Sequence, residues 1–313
     1  MTLLSRLDHF WYAPAPAARL GLLRASIGAY AFIYLLVRSP SLLSVTRFEA
    51  AEFAPVGPVA LLRTPLAPLL VQLSVVLACA LGAAFMLGYK YRFSGPLFSL
   101  LFLWVTSYRS SWGMVFHTEN VLALHLLLLA AAPAADAVSL DARNALRARA
   151  SGPTPLQTDE PIVSGRYGWA VRAICTITVL TYVLAGVAKL RLAGLGWASG
   201  DVLRAQVAYD NLRKLELGSV YSPLGAWLVS YAWPFRGLSW LSLALELGAP
   251  LALFGGLAAY GWALGAFSFH LGVVALMMIA FPYQLSFIAY LSFFPLEQVR
   301  TWRVTQRLLQ LCR

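Results

Sequence analysis

ICTITVLTYVLAGVAKLRLAGLGW (174–197) is a long apolar run that ends in two basic residues. Its first fifteen residues carry no charge, Lys189 follows directly, and Arg191 comes two positions later. An uncharged stretch of this kind, in a chain with other long apolar runs, is typical of a helix that crosses a membrane. Lys189 then has two explanations. It is either a helix-end lysine whose ammonium reaches water, or a base placed at the membrane edge.

The composition of the whole chain supports a membrane protein. The 313 residues are 60% hydrophobic and only 12% charged, with a mean hydropathy of +0.70. A soluble domain carries about 25% charged residues. The apolar runs are continuous, whereas strands of a membrane barrel would alternate polar and apolar residues. The sequence therefore predicts an all-α polytopic membrane protein with about eight transmembrane helices and interfacial amphipathic helices.

The expected helices follow the apolar runs along one continuous domain, 1–313. The spans are expected at 17–37, 66–88, 95–108, 120–134, 167–190, 237–255, 257–281 and 282–296, the last being short and half-inserted. Segment 1–12 is predicted to be an interfacial helix, and 191–236 one or two further interfacial helices. Segment 135–166 is predicted to be a solvent loop with a short helix.

The net charge of +11 would suggest nucleic acid in a soluble protein. In a membrane protein, basic residues between spans set the topology and meet anionic headgroups, so membrane lipids are the expected partners and nucleic acid is not. The distribution of basic residues predicts a multi-pass protein of the cell inner membrane with both termini and loop 135–166 in the cytoplasm. Lys189 and segment 191–236 then face the exterior side.

No metal site is predicted. The three cysteines, Cys79, Cys175 and Cys312, form neither a CxxC pair nor a zinc-like spacing. His117 and His125 are eight residues apart. That spacing places them about 80° apart around a helix and two turns along it, so they cannot chelate one metal on their own.

Ionisable residues inside spans are rare and are functional candidates by default. Glu246 lies deep in the predicted sixth span and must be protonated or paired, with Arg24 and Arg172 as candidate partners. The pair would lock helices together or serve a site. His270 lies in the middle of the predicted seventh span, as a hydrogen-bonded core histidine or as a pocket residue.

Two further candidates stand where a loop enters the predicted fourth span. In HTEN (117–120), Thr118 would cap the helix and Glu119 would complement the helix dipole. The alternative is a pair formed by His117 and Glu119 at the mouth of a pocket. The sequence leaves both explanations open.

Four segments taken together resemble the HTTM family, the membrane domain shared by vitamin K-dependent γ-carboxylase and many bacterial proteins. LGLLRASIGAYAFIY (20–34) resembles the family's first span with its embedded arginine, and HTENVLALHLLLLAAAPAADAVSLDA (117–142) its fourth span and the following Ser-x-Asp turn. AGVAKL (185–190), followed by Trp197 and Gly200, is similar to the segment with the catalytic lysine. FSFHLGVVALMMIAFPY (267–283) is similar to the penultimate span and the turn after it.

The resemblance implies a quinol-dependent, oxygenase- or carboxylase-like membrane enzyme, a lyase in its family's sense. It implies a reduced quinone of the vitamin K type as cofactor, and no metal. It implies Lys189 as the general base, with a list of further catalytic and cofactor-binding residues: His117, Glu119 and His270 in the reaction pocket, and Trp197, Arg24 and Glu246 around the cofactor.

The chain also departs from the carboxylase. The segment between Lys189 and Trp197 is longer, and the large lumenal part that binds protein substrates is absent, so carboxylation of protein glutamates is not expected. A quinol, another lipophilic molecule or a small peptide is the expected substrate. The alternative is a non-catalytic membrane protein of the toxin maturation or immunity type, which binds a lipid, a peptide or a partner subunit.

Overall fold

The computed structural model describes residues 2–113, 115, 118–150 and 162–301, and these residues are mostly helical. The helices are α1 (Leu3–Trp11), α2 (Ala17–Ser44), α3 (Pro68–Leu87), α4 (Tyr91–Ser110), α5 (Asn120–Ala131), α6 (Leu140–Ala150), α7 (Gly165–Ala193), α8 (Gly196–Ser199), α9 (Asp201–Glu216), α10 (Pro223–Leu228), α11 (Trp233–Leu247), α12 (Gly256–Met277) and α13 (Pro282–Leu285). Short 3₁₀ helices cover Val45–Arg47, Ala50–Glu52, Gly57–Leu61, Ala249–Phe254, Ile288–Phe293 and Leu296–Thr301. In the same ranges, strands β1 (Ala15–Pro16) and β2 (Val163–Ser164) pair antiparallel.

Within the described residues, four helical segments are long and apolar enough to cross a membrane. They are Ala17–Arg47, Pro68–Leu87, Gly165–Ala193 and Gly256–Met277. A shorter apolar helix covers Asn120–Ala131. The predicted helical membrane protein is thus confirmed, whereas the predicted number of eight spans is not.

Several predicted boundaries are wrong for local reasons. The first helix does not end at residue 37 but runs through Pro40 to Ser44, although an interior proline ordinarily kinks or ends a helix. The predicted span 237–255 stops as an α-helix at Leu247, and a 3₁₀ helix with Pro250 near its start follows.

The predicted eighth span, 282–296, is a four-residue helix followed by a 3₁₀ helix. Phe287 separates the two pieces with a left-handed backbone, φ +65°. A left-handed residue cannot continue a right-handed α-helix, so this segment does not form one helix of membrane-spanning length.

The predicted non-spanning helices are present. Thr2 caps α1, because its side chain accepts a hydrogen bond from the backbone N–H of Ser5 at 3.3 Å. Helix α6 is the short helix expected within 135–166. Segment 191–236, for which one or two helices were predicted, holds the three helices α8, α9 and α10 and the start of α11. The location of these helices at a membrane surface stays a prediction.

The chain divides into two compact units. The first comprises Met1–Ile174 and Pro295–Arg313, and the second comprises Cys175–Phe294. Helix α7 contributes its first part to one unit and its second part to the other.

In the first unit, Arg24 of α2 is fully buried and binds backbone carbonyls. It donates to the carbonyls of Phe85 at 2.6 Å and Met86 at 2.5 Å, in the last turn of α3. It also donates to the carbonyls of Ala134 at 3.0 Å and Val138 at 2.5 Å. The carbonyls of Phe85 and Met86 lie at the C-terminal end of α3, where the guanidinium adds hydrogen bonds and places a positive charge at the negative end of the helix dipole.

In the second unit, the core combines aromatic rings with small residues. Tyr182, Trp262 and Tyr290 are buried beside a run of alanines on α12: Ala259, Ala263 and Ala266. The Tyr182 and Trp262 rings meet edge to face with centroids 5.0 Å apart. Because the alanines recur at helical spacing, they form a flat stripe against which the rings of the neighbouring helices pack.

Candidate functional site

Lys189 lies near the end of α7 in the second unit, where it is partly buried beside two aromatic rings. Its Nζ forms an ion pair with Oε1 of Glu246 on α11. The same Nζ lies 4.9 Å from the centroid of the Trp197 ring and 5.5 Å from that of Phe269. A lysine over two aromatic faces is stabilised by the negative potential of the rings. Lys189 therefore is not a lysine extended into bulk water.

Three residues of the site region lie on one face of α7. Tyr182, Gly186 and Lys189 are spaced by four and then three positions, which places them on the same side of a helix. A Cβ added at Gly186 would lie 3.1 Å from Cβ of Glu246 and 2.9 Å from Cδ2 of Leu247. The missing side chain thus lets α7 approach α11 closely enough for the lysine and the carboxylate to meet.

Trp197 is held against α11. Its Nε1–H donates to Oγ of Ser242 at 3.2 Å, and Ser242 precedes Glu246 by one helical turn. Gly200 follows with φ +90°, and a Cβ there would come within 2.4 Å of the backbone nitrogen of Arg236. The close approach at Gly200 fixes the short helix α8 on α11, and with it the position of the indole ring.

A second hydrogen-bonded group surrounds His270 on α12. The Tyr182 hydroxyl shares a hydrogen bond with Nε2 of His270 at 2.7 Å and another with the hydroxyl of Tyr290. His270 is adjacent in sequence to Phe269, whose ring faces Lys189. The tyrosine–histidine group and the lysine–glutamate pair are therefore joined through α7 and α12.

Two buried polar atoms in this region have no hydrogen-bond partner among the described residues: Oε2 of Glu246 and Nδ1 of His270. Glu246 is 3% exposed and His270 6%. Buried polar atoms are nearly always paired with protein, water or ligand. Across the described ranges, no group of three or more His, Cys, Asp or Glu side chains is arranged to hold a metal ion.

Glu119 lies in the first unit, at the entrance to α5. Its Oε1 accepts a hydrogen bond from the Tyr34 hydroxyl at 2.7 Å. Glu119 itself, not Thr118 as predicted, is the residue at the N-cap of α5, and no side chain makes a capping hydrogen bond there. His117 lies outside the described residues, so its pairing with Glu119 stays a prediction.

The structure also corrects the expected partner of Glu246. The carboxylate pairs with Lys189, not with Arg24 or Arg172. Arg24 binds carbonyls of the first unit, and the Arg172 guanidinium lies 4.9 Å from the ring centroid of Phe10 in that same unit. Arg24 is thereby explained as a residue that holds a helix end, and its role around a cofactor stays a prediction.

Three of the predicted site residues meet in the second unit, namely Lys189, Glu246 and Trp197, and His270 follows Phe269 on α12 in the same unit. Tyr182 and Tyr290 were not predicted. Tyr182 could have been predicted from the sequence, because it lies seven residues before Lys189 on the same helix face. Tyr290 could not have been predicted, since only the fold brings its 3₁₀ helix beside α7.

The fold and this site define a polytopic helical membrane protein with a partly buried lysine–glutamate pair beside aromatic rings. The chain belongs to the HTTM domain family, which matches residues 12–297 and so runs through both units. Comparisons with curated proteins and with solved structures found no match.

Proposed function

We propose that the protein is a membrane enzyme that takes a proton from the hydroxyl of a lipophilic substrate, with Lys189 as the base and Glu246 as its proton-sharing partner. The observation that carries the proposal is the partly buried ion pair between these residues, set beside the rings of Trp197 and Phe269. Intramembrane ion pairs are unusual, and they commonly mark proton or substrate pathways.

The chemistry follows from the surroundings of the pair. In an apolar site, an ammonium and a carboxylate in contact can lower their charge by passing the shared proton to the carboxylate. The neutral amine of Lys189 then has a lone pair that accepts a proton from a substrate hydroxyl. Glu246 holds the first proton meanwhile, so the pair needs no exchange with bulk water during the step.

A reduced quinone is the cofactor that we propose for this region. The rings of Trp197 and Phe269 suit a flat aromatic head, and the unpartnered Oε2 of Glu246 and Nδ1 of His270 suit hydroxyl groups. When bound, a reduced quinone supplies an acidic hydroxyl and two electrons. Tyr182 and Tyr290 would hold the His270 ring in one orientation through their hydrogen bonds.

The test uses the full chain in lipid nanodiscs with reduced menaquinone and oxygen, and mass spectrometry to detect quinone epoxide. Wild type is expected to form the epoxide, and Lys189→Ala to lose about two orders of magnitude or more in rate, as is usual for a general base. Glu246→Gln should retain only part of the wild-type rate. Arg191→Ala, an exposed basic residue two positions along the same helix, is the matched control and should equal wild type.

Each failure has its own meaning. Absence of epoxide from wild type would reject quinol chemistry, and binding of other phenolic lipids would then be screened with the same variants. An unchanged rate in Lys189→Ala would remove this lysine from the mechanism.

We also propose that the protein resides in the cell inner membrane with both termini in the cytoplasm, and that Lys189 faces the exterior side. The four helices of membrane-spanning length and the basic residues between the apolar runs support this orientation. Single cysteines introduced at Arg191 and at Arg143 test it. A membrane-impermeant maleimide added to intact cells should label the first position and not the second, and the reverse pattern would invert the topology.

The alternative function is non-catalytic binding of a lipid, a small peptide or a partner subunit. The ion pair itself favours it, because Lys189 and Glu246 also neutralise each other and tie α7 to α11. In this case the paired replacement Lys189→Met with Glu246→Leu would retain whatever ligand copurifies with wild type. The enzyme proposal requires that the same double variant lose activity while staying folded.

A further inference from the structure

Three buried polar side chains of the second unit form one hydrogen-bonded chain: Tyr290, Tyr182 and His270. The Tyr182 hydroxyl lies 2.7 Å from Nε2 of His270 and is also hydrogen-bonded to the Tyr290 hydroxyl. The exposed fractions of Tyr290, Tyr182 and His270 are 0%, 7% and 6%. Within the described residues, these are the hydrogen bonds of the two hydroxyls, and Nδ1 of His270 has none. The hydrogens of the chain can therefore be counted.

The rings around His270 do not supply an acceptor for Nδ1. The centroids of the Phe269 and Phe281 rings lie 5.4 Å and 5.0 Å from that of the imidazole, and phenylalanine rings have no lone pair. An imidazolium is unfavourable among apolar rings, so the imidazole is neutral. It then carries one proton, on Nδ1 or on Nε2.

The two positions of this proton differ in how many buried groups they leave without a partner. With the proton on Nδ1, the Tyr290 hydroxyl donates to Tyr182, the Tyr182 hydroxyl donates to Nε2, and only Nδ1–H is unpaired. With the proton on Nε2, this N–H donates to the Tyr182 oxygen. One of the two hydroxyl hydrogens then has no acceptor, and Nδ1 has no donor. Unpaired buried groups are costly, so the first arrangement is favoured.

We infer that His270 carries its proton on Nδ1 and that this buried N–H donates a hydrogen bond to an oxygen of the substrate, with Tyr182 as the residue that positions the proton. Which nitrogen of a histidine is protonated is set by the hydrogen bond that the other nitrogen makes. Because Tyr182 donates to Nε2, the partner of Nδ1–H is an acceptor, such as a phenolate or carbonyl oxygen. The part of the inference that concerns the substrate rests on the proposed function.

The donor and the proposed base lie beside the same aromatic ring. Nζ of Lys189 is 5.5 Å from the centroid of Phe269, and the centroid of the His270 ring is 5.4 Å from it. When Lys189 removes a proton from a substrate hydroxyl, negative charge develops on the substrate. An N–H donor that is already in position stabilises this charge in the transition state, whereas a bare nitrogen would oppose it.

Solid-state NMR of the full chain in lipid, with ¹⁵N-labelled histidine, measures the position of the proton. The chain has four histidines, and His270→Gln identifies the signals of His270 by their loss. Protonated and bare ring nitrogens have well-separated ¹⁵N resonances, and couplings to the carbon-bound ring protons distinguish Nδ1 from Nε2. We expect a protonated Nδ1 and a bare Nε2 in wild type without substrate. A protonated Nε2 would overturn the inference.

Two tyrosine variants separate positioning from packing. Tyr290→Phe leaves the hydrogen bond from Tyr182 to Nε2 in place, so the proton should stay on Nδ1. Tyr182→Phe removes that bond, so Nε2 should be protonated in a large share of the molecules. Each variant removes one buried hydroxyl from the same core and so controls for the effect of the other on packing. Identical His270 spectra in the two variants would contradict positioning by Tyr182.

Epoxide formation in nanodiscs with reduced menaquinone and oxygen tests the contact with the substrate. Tyr182→Phe should lower kcat about tenfold or more with little change in KM, because a donor to a developing charge acts in the transition state. Tyr260→Phe, whose ring stacks on Phe294 in the same core, is the matched control and should equal wild type. Thermal unfolding verifies that each variant is folded. An unchanged kcat in Tyr182→Phe would overturn the donor role.

Failure of the inference and failure of the proposed function have different signatures. If wild type forms no epoxide, the proposed function fails, but the spectra recorded without substrate still decide where the proton of His270 lies. If wild type forms the epoxide and its His270 proton lies on Nε2, the proposed function stands and the inference fails.

Discussion

Lys189 and Glu246 form an ion pair whose two members differ in their access to solvent. The lysine side chain is 19% exposed and the glutamate side chain 3%. If its partner is removed, the lysine can redirect its flexible stem toward water, whereas the glutamate cannot. The pair is therefore asymmetric, and this asymmetry can be measured.

Replacement of Lys189 should destabilise the protein more than replacement of Glu246. Lys189→Met leaves a carboxylate stranded in an apolar site and is expected to cost about 3 kcal/mol, while Glu246→Leu is expected to cost about 1 kcal/mol. Unfolding in detergent, followed by circular dichroism, measures both. The double variant is the control and should approach wild type, because a well-packed apolar pair replaces a buried ionic one. Equal losses in the two single variants would show that the lysine has no route to water.

Gly186 should be a position on α7 that tolerates a larger side chain poorly. Gly186→Leu would place its Cβ 3.1 Å from Cβ of Glu246 and push α7 from α11, at a cost of about 1–3 kcal/mol. Gly261→Leu on α12 is the matched control, because a Cβ there meets no atom within 4 Å. A tolerated leucine at 186 would mean that the two helices can separate without loss.

Arg24 should not be replaceable by lysine. Lysine keeps the charge but not the planar group that reaches the carbonyls of Phe85, Met86, Ala134 and Val138. We expect Arg24→Lys to destabilise the protein by about 2–4 kcal/mol, because several buried acceptors lose their donors. Arg143→Lys on the exposed side of α6 should be neutral. A melting curve of Arg24→Lys equal to that of Arg143→Lys would contradict the role of Arg24 at the helix end.

The Tyr182 hydroxyl should matter more than that of another tyrosine in the same core. Tyr182→Phe removes the partner of both His270 Nε2 and the Tyr290 hydroxyl and is expected to cost about 1–3 kcal/mol. Tyr260→Phe is the control, since the Tyr260 ring stacks on Phe294 with centroids 4.8 Å apart and phenylalanine preserves this contact. A shift in the ¹⁵N resonances of His270 should accompany the first change. If they do not move, the hydrogen bond to the imidazole is not formed in solution.

The ion pair between Arg19 and Glu297 should make stability fall at acidic pH. Partial burial by itself would raise the pKa of Glu297, but the hydrogen bonds from Arg19 outweigh it, and the pKa of this carboxyl is lowered from its ordinary value. The pair joins Arg19 Nε to Glu297 Oε2 at 2.8 Å and Arg19 Nη2 to Glu297 Oε1 at 2.5 Å. Its contribution is complete above the unfolded-state pKa of about 4.3 and is lost as the pH falls through the lower, folded-state value.

Thermal unfolding of wild type and Glu297→Gln between pH 3 and pH 7 measures this contribution. The difference in melting temperature should be constant above about pH 5 and should shrink below about pH 4, as the carboxyl takes up a proton in both states of wild type. A difference that grows toward low pH would contradict the sign of the pKa shift.

Local patterns in the sequence explain why parts of the fold were predictable. Long apolar runs force the backbone to satisfy its hydrogen bonds within one segment, so the helices around Lys189, His270 and Arg24 follow from composition alone. Helix ends were less predictable. Pro40 lies within a helix, whereas Pro250 lies near a helix end. Whether a proline ends a helix depends on the residues packed around it.

The sequence also did not show which glycine near the site allows two helices to approach each other. Gly186, Gly194 and Gly196 all precede Trp197, but an added Cβ would meet neighbouring atoms only at Gly186. The face of α7 that carries Gly186 and Lys189 was readable from their spacing. The helix that approaches this face was not, because it comes from a distant part of the chain.

The sequence by itself determined that this is a helical membrane protein, that Lys189 ends an apolar helix, and that Glu246 needs a partner or a proton. Only the tertiary structure decided that the partner is Lys189, fifty-seven residues away, and that Arg24 serves a helix end instead. The physical reason is the range of the interactions. Helix formation and side-chain periodicity depend on near neighbours, whereas an ion pair depends on which helix faces meet.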